Sequence, residues 1–378
     1  MTDGAGAPRG GAPLAGARLL FLELGDSHDE VLLSWWRDVR ALGADVWVAC
    51  PRATWERLAL PGVRGYHPAA VEGSLAARLA FMRRLRRWIL AERITHVVLN
   101  TATGTMLRDL VLFLPSRCRV VGTLHDVGKL GRLNNQTVIT ARVAGYAVLA
   151  PYLLDAVPEG FRTPVVVAPA TAPDPDAAAS ATTVGASSEA PLRVIVPGGI
   201  DFRRRDYASI LAPDALARLG GAVRLVLAGR PVPRDRALLE RALAAADGTA
   251  IEVHDRFLPH DAFARLVAGA DAVLALAHPS CAEWELTRRV RISGAMSNAW
   301  AYARPLLLER TLAAHPSFGD AICYDVPDLP ATLARLAADR AALRPHAVTP
   351  AFAAEPARRA AITRLLLDAA ARADRASA

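Results

Sequence analysis

Lysine is almost missing from this chain. Of its 45 basic residues only Lys129 is a lysine, and the remainder are arginine. Guanidinium groups suit bidentate contacts with phosphate and carboxylate, although a GC-rich genome gives the same bias without any selection for chemistry. Cysteine is scarce as well. Cys50, Cys118, Cys281 and Cys323 lie far apart with no CxxC pair. That argues against a zinc site or a disulfide framework and fits a reducing cytosol. No run of 18 apolar residues is free of charge, so no transmembrane helix is expected. Residues 1–16 are Gly, Ala and Pro with little else. They lack a basic stretch followed by an apolar one, and read as a disordered tail rather than a signal peptide. The net charge is +8, yet there is no interleaved aromatic-basic platform and no helix-turn-helix signature, so nucleic acid is not an expected partner. No DxD motif stands at a strand end. Asp174-Pro-Asp176 falls in a Pro- and Ala-rich stretch, and neither metal nor cofactor is expected.

What is present is a repeated alternation. At 378 residues with 52% hydrophobic content, two domains with sizeable cores are expected. Residues 17–170 alternate short apolar strands with helices: strands at 18–24, 45–49, 96–100, 119–124, 146–150 and 165–168, and helices at 30–42, 75–92 and 105–113. Apolar runs of about five residues separated by helices suit a parallel sheet covered on both faces. Residues 171–191 are Ala, Ser, Thr, Pro and Asp without periodicity, which reads as a linker. The alternation then resumes over 192–349, with strands at 192–196, 223–228, 251–254, 272–276, 305–308 and 321–324. Helices are expected at 206–219, 234–246, 260–268 and 293–303, and a terminal helical tract at 350–372 ends the series. The fold class is therefore α/β, two doubly wound Rossmann-like domains facing a cleft. Ligands in such sheets bind outside the carboxyl ends of the strands.

Four constellations sit at those ends. A buried strand runs into Gly198-Gly199, and Arg203 to Arg205 follow. Glycine lets backbone amides approach a ligand, a helix start adds partial positive charge, and guanidinium adds full charge. Together they make a phosphate socket, or else a surface turn with a solvated basic cluster. The second is Gly229-Arg230 after a Val-Leu-Ala strand, which also reads as an ordinary strand-to-helix turn. The third runs from His278 through Glu283, Glu285, Arg288, Arg289 and Arg291 to Ser293-Gly294-Ala295. Ser293 is a candidate N-cap whose neighbouring amides face an anion. Internal pairing of Glu285 with Arg289 is the alternative. The fourth, in the first domain, is Thr123-Leu-His125-Asp126 with Lys129 close behind. A lone histidine here is as readily structural as catalytic. Gly25-Asp26-Ser27-His28 is a polar loop after the first strand, placed to contact an acceptor or to cap the next helix.

Taken together these segments resemble glycosyltransferases of the GT-B fold, closest to the retaining group called glycosyltransferase family 4. Ile195-Val-Pro-Gly-Gly199 with Arg204 looks like that family's first strand, glycine loop and phosphate contact. Val226-Leu-Ala-Gly-Arg230 looks like its second strand and turn. Val253-His-Asp-Arg-Phe257-Leu258-Pro-His260 looks like the segment that meets the nucleotide base, and 291–305 like the donor helix. Thr123-Leu-His-Asp126 looks like the histidine region near the sugar. One departure stands out. The family carries two glutamates eight positions apart, whereas eight on from Glu283 is Arg291 and eight on from Glu285 is Ser293.

The resemblance implies sugar transfer from a nucleotide-diphosphate sugar to a hydroxyl acceptor, with retention and without a metal. Gly198, Gly199, Arg204, Arg205, Arg291, Ser293, Gly294 and Ala295 would hold the diphosphate. Gly229, Arg230, Phe257 and Leu258 would hold the nucleotide, and Gly25, Asp26, Ser27 and His28 the acceptor. His125, Asp126, Glu283 and Glu285 would act at the sugar. A nucleotide-sugar 2-epimerase on the same fold, or a non-catalytic GT-B protein that binds a partner or a glycan, are the competing readings. Residues 78–90 form a basic helix with Trp and Phe, which either lies on an anionic membrane from the cytoplasmic side or simply covers the sheet.

Overall fold

In the computed structural model, residues 12–25, 28–58, 60–67, 74–171, 173, 176, 178, 190–244 and 251–376 are described. Two parallel sheets form its frame. The first holds β1 (Arg18–Leu22), β2 (Asp45–Ala49), β3 (Arg64–Tyr66), β4 (His96–Leu99), β5 (Arg119–Leu124), β6 (Gly145–Val148) and β7 (Val165–Val167), in the order β3-β2-β1-β4-β5-β6-β7. The second holds β8 (Leu192–Pro197), β9 (Val223–Ala228), β10 (Ile251–His254), β11 (Ala272–Leu274), β12 (Leu306–Glu309) and β13 (Ile322–Tyr324), in the order β10-β9-β8-β11-β12-β13. Both orders reverse beside the first strand of the domain, and the crevice above such a reversal is where ligands bind. The central strands are continuous apolar runs because helices bury both of their faces: Leu19, Leu20 and Phe21 are fully buried, as are Val194, Ile195 and Val196.

Several helices depart from the sequence expectation, each for a local reason. The helix expected over 206–219 is two pieces, Ala208–Leu211 and Pro213–Leu219. Pro213 has no amide to continue the first piece but serves well at the first position of the second. The loop expected over 278–292 contains the helix Trp284–Arg289. Asn135–Arg142, not foreseen, is started by a capping box in which Asn134 and Thr137 satisfy each other's backbone amides. Most of the linker expected at 171–191 lies outside the described residues.

The last helix, Glu355–Ala376, returns to the first domain and packs on the helix Asp29–Ala41 and on β5, β6 and β7. Ile362, Leu365 and Leu366 enter the core there. At its base Arg358 forms a fork on Asp38, with Nε to Oδ2 at 2.5 Å and Nη2 to Oδ1 at 2.9 Å, and both side chains are buried. Arg358 also donates to Thr171 Oγ1 and the Ala353 carbonyl, each at 3.1 Å. Four of the five guanidinium hydrogens thus find acceptors, and a buried charge needs such pairing.

Candidate functional site

The loops that follow β1 and β5 in the first sheet meet those that follow β8 and β11 in the second. The Val127 amide donates to the Val290 carbonyl at 3.0 Å across the two domains. Tyr152, also from the first domain, donates its hydroxyl toward the carbonyls of Thr287 and Arg291. The contact is close: a Cβ on Gly128 would stand 3.1 Å from Val290 Cγ1.

On the second domain the three arginines after the glycine turn do different work. Arg205 donates Nη1 to the Gly199 carbonyl at 2.6 Å and Nη2 to the Pro197 carbonyl at 2.7 Å. It braces the turn, so the expectation that it contacts phosphate gives way to a positioning role. Arg203 is exposed, and its carbonyl accepts from the Glu283 amide. Arg204 faces the cleft, with Nε 3.6 Å from Glu283 Oε2. Gly198 adopts φ +96°, where a side chain would be strained. Gly229 is required for a different reason. A Cβ there would lie 2.2 Å from the Gly198 carbonyl oxygen, so its bare backbone lets the two turns stack. Gly229→Ala should therefore cost about 2 kcal/mol or more, the scale of a forced overpacking, read as a fall in the urea midpoint. Arg230 is exposed, and its carbonyl accepts from the Ile200 amide.

Arg291 links the domains. Its Nε and Nη2 reach Asp126 Oδ2 at 3.1 and 2.9 Å, and its Nη1 reaches Glu283 Oε2 at 3.2 Å. A chain of alternating charge, Arg204–Glu283–Arg291–Asp126, thus crosses the cleft. The residue that stands where the family resemblance would place a second glutamate is paired with the first. Arg204 keeps 54% of its side chain exposed, yet desolvation by the cleft walls, with Arg205 and Arg291 close by, lowers its pKa, and Glu283 works the other way. Ser293 immediately precedes the helix Gly294–Ala301 but makes no capping hydrogen bond through its side chain. The first amides of that helix have no acceptor within it.

Glu285 and the nucleotide-side residues fall elsewhere. Glu285 pairs on the surface with Arg288 and Arg289, at 2.9 and 3.1 Å, which removes it from the cleft cluster. The Arg57 guanidinium of the first domain lies over the Phe257 ring, 4.5 Å from its centre. Leu258 lines a hollow of about 320 Å³ together with Arg193, His254 and Arg265, along the helix His260–Ala268.

The first domain supplies a polar cluster of which sequence reasoning found Gly25, His28 and His125 but missed Glu23, Asn100 and Thr101. Glu23 is buried at the end of β1, inside what reads as an apolar strand. Its carboxylate accepts from the Gly25 amide at 2.7 Å, Asn100 Nδ2 at 2.8 Å and Thr101 Oγ1 at 2.6 Å. Asp26 and Ser27 lie outside the described residues. His28, at φ +67°, stacks on His125 with ring centres 3.7 Å apart. His125 Nε2 is 2.9 Å from the Asn100 carbonyl. The only sequence signal for this arrangement was an acid within a strand and two histidines at strand ends.

The two histidines are pushed in opposite directions. Burial, helped by His28, lowers His125 to about 4. Burial also opposes charge on His28, but Glu30 and then Glu23 outweigh it and raise its pKa, while Arg204 across the cleft opposes them. The unfolded chain protonates His125 near its ordinary 6.5. Its contribution to stability is complete above that pH and is lost as pH falls toward about 4. His28 has the opposite sign: its contribution is full below 6.5 and fades as pH rises through its raised value. Thermal unfolding followed from pH 7 down to about pH 4.5 should show a steeper acid decline in wild type than in His125→Gln.

No protein-family model matches the chain, and no curated protein matches it in sequence. Solved structures do match over nearly its full length. An α,α-trehalose-phosphate synthase (UDP-forming) from Burkholderia vietnamiensis is 13% identical, with 95% of this chain and 99% of that one aligned at a TM-score of 0.59. This is the GT-B fold. A UDP-N-acetylglucosamine 2-epimerase, 11% identical, aligns over 94% of this chain and 97% of its own at the same TM-score of 0.59. The Anabaena protein HepE in complex with UDP and glucose, 12% identical, aligns over 96% and 98% at 0.56. Among the described residues, no helix is long and apolar enough to cross a membrane.

Proposed function

We propose that this chain is a glycosyltransferase that moves a sugar from a nucleotide-diphosphate sugar to a hydroxyl acceptor, as a divergent relative of glycosyltransferase family 4. The observation that carries the reading is the convergence of Arg204 and Arg291 between the glycine turn and the start of the helix Gly294–Ala301. In the transfer, the bond between the anomeric carbon and the diphosphate oxygen breaks, and negative charge collects on the leaving diphosphate. Arg204, Arg291 and the free amides at Gly294 and Ala295 neutralise it, the task a divalent cation performs in other enzymes. Preorganised donors of this kind need no rearrangement as charge develops.

Arg291 is held by Asp126 and Glu283 in the structure described. A diphosphate competes with both carboxylates for that guanidinium and frees them to accept from sugar hydroxyls. The stacked His125 and His28 with Glu23 behind them form the acceptor side, and His125, neutral at pH 7, orients the sugar. The neighbour solved with UDP and glucose supports a nucleotide-sugar partner. Retention and independence from metal follow from the family likeness.

The epimerase reading has one specific support, the equal fold similarity to UDP-N-acetylglucosamine 2-epimerase. Thermal-shift screening of the purified protein against UDP, GDP, ADP and dTDP sugars identifies the donor. Product analysis then separates the cases. Transfer to an acceptor, or slow hydrolysis, supports the transferase; a C2 epimer formed from donor alone supports the epimerase. No stabilisation and no turnover with any of the four would leave a binding protein without catalysis.

A further inference from the structure

We propose that the outer surface of the helical layer formed by Leu75–Ala91, Thr105–Val111 and Asn135–Arg142, with the loop over 130–134, docks on an anionic lipid bilayer. The inference is independent of the transfer reading and rests on how this layer divides its residues. The helix Leu75–Ala91 commits Phe81, Met82, Leu85 and Ile89 to the core. Trp88 packs on Tyr66 with ring centres 5.1 Å apart. Its opposite side is left basic: Arg83, Arg84, Arg86 and Arg87 are all exposed. Among the described residues, Arg83, Arg84 and Arg87 have no hydrogen-bond or ion-pair partner.

Leucines border the arginines. Arg86 donates to the Phe113 carbonyl at 2.9 Å and Arg117 to the Leu90 carbonyl at 3.3 Å. These bonds hold the segment after the helix Thr105–Val111 against the basic helix. Leu112 in that segment is 68% exposed, Leu75 at the helix start 63%, and Leu133 in the loop before Asn135–Arg142 99%. The helices Thr105–Val111 and Asn135–Arg142 pack on each other, and Asn135 Nδ2 reaches Thr105 Oγ1 at 2.9 Å. The leucines therefore belong to one layer. The acids at its margin are already engaged: Asp109 by Arg108 at 2.6 Å and Glu92 by Arg64 at 3.0 Å.

Unpaired guanidinium with isolated aliphatic side chains fits lipid better than other polyanions. Headgroup phosphates meet the arginines while the leucines reach the acyl boundary. Nucleic acid offers no partner for leucine, and the aromatic ring of the basic helix that would stack on a base is packed against Tyr66 instead. Leu133 lies in the connection that also carries Asp126, so docking through this face sets the cleft mouth near the bilayer.

The test is co-sedimentation of the full chain with vesicles. Phosphatidylglycerol–phosphatidylcholine vesicles should bind it in about 0.01 M salt, where the Debye length is about 30 Å and screening is weak, and pure phosphatidylcholine vesicles should not. Each arginine near an anionic surface contributes about fivefold in partitioning. The variant Arg83→Ser/Arg84→Ser/Arg87→Ser should therefore bind roughly a hundredfold less. Leu112→Ser/Leu133→Ser should also lose binding, with its charge unchanged. All substituted positions are exposed, so both variants should keep the wild-type melting temperature and nucleotide-sugar response, which separates failure here from failure of the transfer reading. Equal binding to both vesicle types, undiminished binding by the arginine variant, or tighter binding to duplex DNA than to the anionic vesicles at the same salt would overturn the proposal.

Discussion

Arg204→Ala/Arg291→Ala should lower kcat/KM for sugar transfer by about 1000-fold or more. Loss of a single well-placed donor at a leaving group costs about 100- to 1000-fold. The two effects will not simply add, because both arginines approach the same Glu283 oxygen. The single variants should differ in character. Arg204→Ala removes a guanidinium whose one close carboxylate is 3.6 Å away, so the loss is chiefly in the transition state and falls on kcat. Arg291→Ala also leaves Asp126 and Glu283 facing the diphosphate without their cation, so donor affinity should fall as well. Arg291→Lys keeps the charge but not the fork that spans both carboxylates, and should recover only part of the loss. Arg205→Ala is the contrast. Its guanidinium is bonded to the carbonyls of Pro197 and Gly199, so it should lower stability and donor affinity together as the turn loosens. Steady-state kinetics with the donor identified by thermal shift, and calorimetric titration with its nucleoside diphosphate, separate these patterns.

Arg358→Ala should destabilise the fold by about 3–5 kcal/mol, the range for removing one partner of a buried ion pair. The residue left behind is Asp38, which is fully buried. Arg359 Nε, 3.2 Å from Asp38 Oδ1, offsets part of that charge. Asp38→Ala should cost as much, because Arg358 would keep only Thr171 and the Ala353 carbonyl. The double variant Asp38→Leu/Arg358→Met should recover most of the loss, since well-packed apolar replacements of buried pairs are often neutral. Urea midpoints with unchanged slopes report the difference. If Arg358→Ala shifts the midpoint by less than 1 kcal/mol in equivalent stability, the returning helix is held by its apolar face alone, through Ile362, Leu365 and Leu366.

Much of this architecture is legible in the chain because its strands are sealed on both faces. Val223–Ala228, Ile251–His254 and Arg119–Leu124 have the bounds their apolar runs announce. β3 escapes notice because it is a three-residue edge strand, Arg-Gly-Tyr, with two exposed positions. The helix Trp284–Arg289 escapes because its charges read as a loop; it buries Trp284 and aligns Glu285 with Arg288 and Arg289 along its surface.

The candidate site was legible by place more than by role. Strand ends singled out Gly198, Arg204, His125, Asp126 and Arg291, and of these Arg291 meets Asp126 across the cleft and shares Glu283 with Arg204. Contacts that link residues 165 apart, such as Arg291 with Asp126, leave no local pattern. Glu23 illustrates the same limit from the other side. An acid in an apolar strand has meaning only once Asn100 and Thr101 are seen to close over it. Arg205 and Gly229 looked like ligand contacts because glycine and arginine at a turn suit phosphate. Here one braces carbonyls and the other makes room for a neighbouring backbone.

The most direct measurement is a crystal structure with a bound nucleoside diphosphate. The account predicts its terminal phosphate between Arg204 and Arg291, within hydrogen-bond distance of both and of the Gly294–Ala295 amides, with Arg291 withdrawn from Asp126. A nucleotide bound at another position, with the Arg291–Asp126 bridge intact, would contradict it.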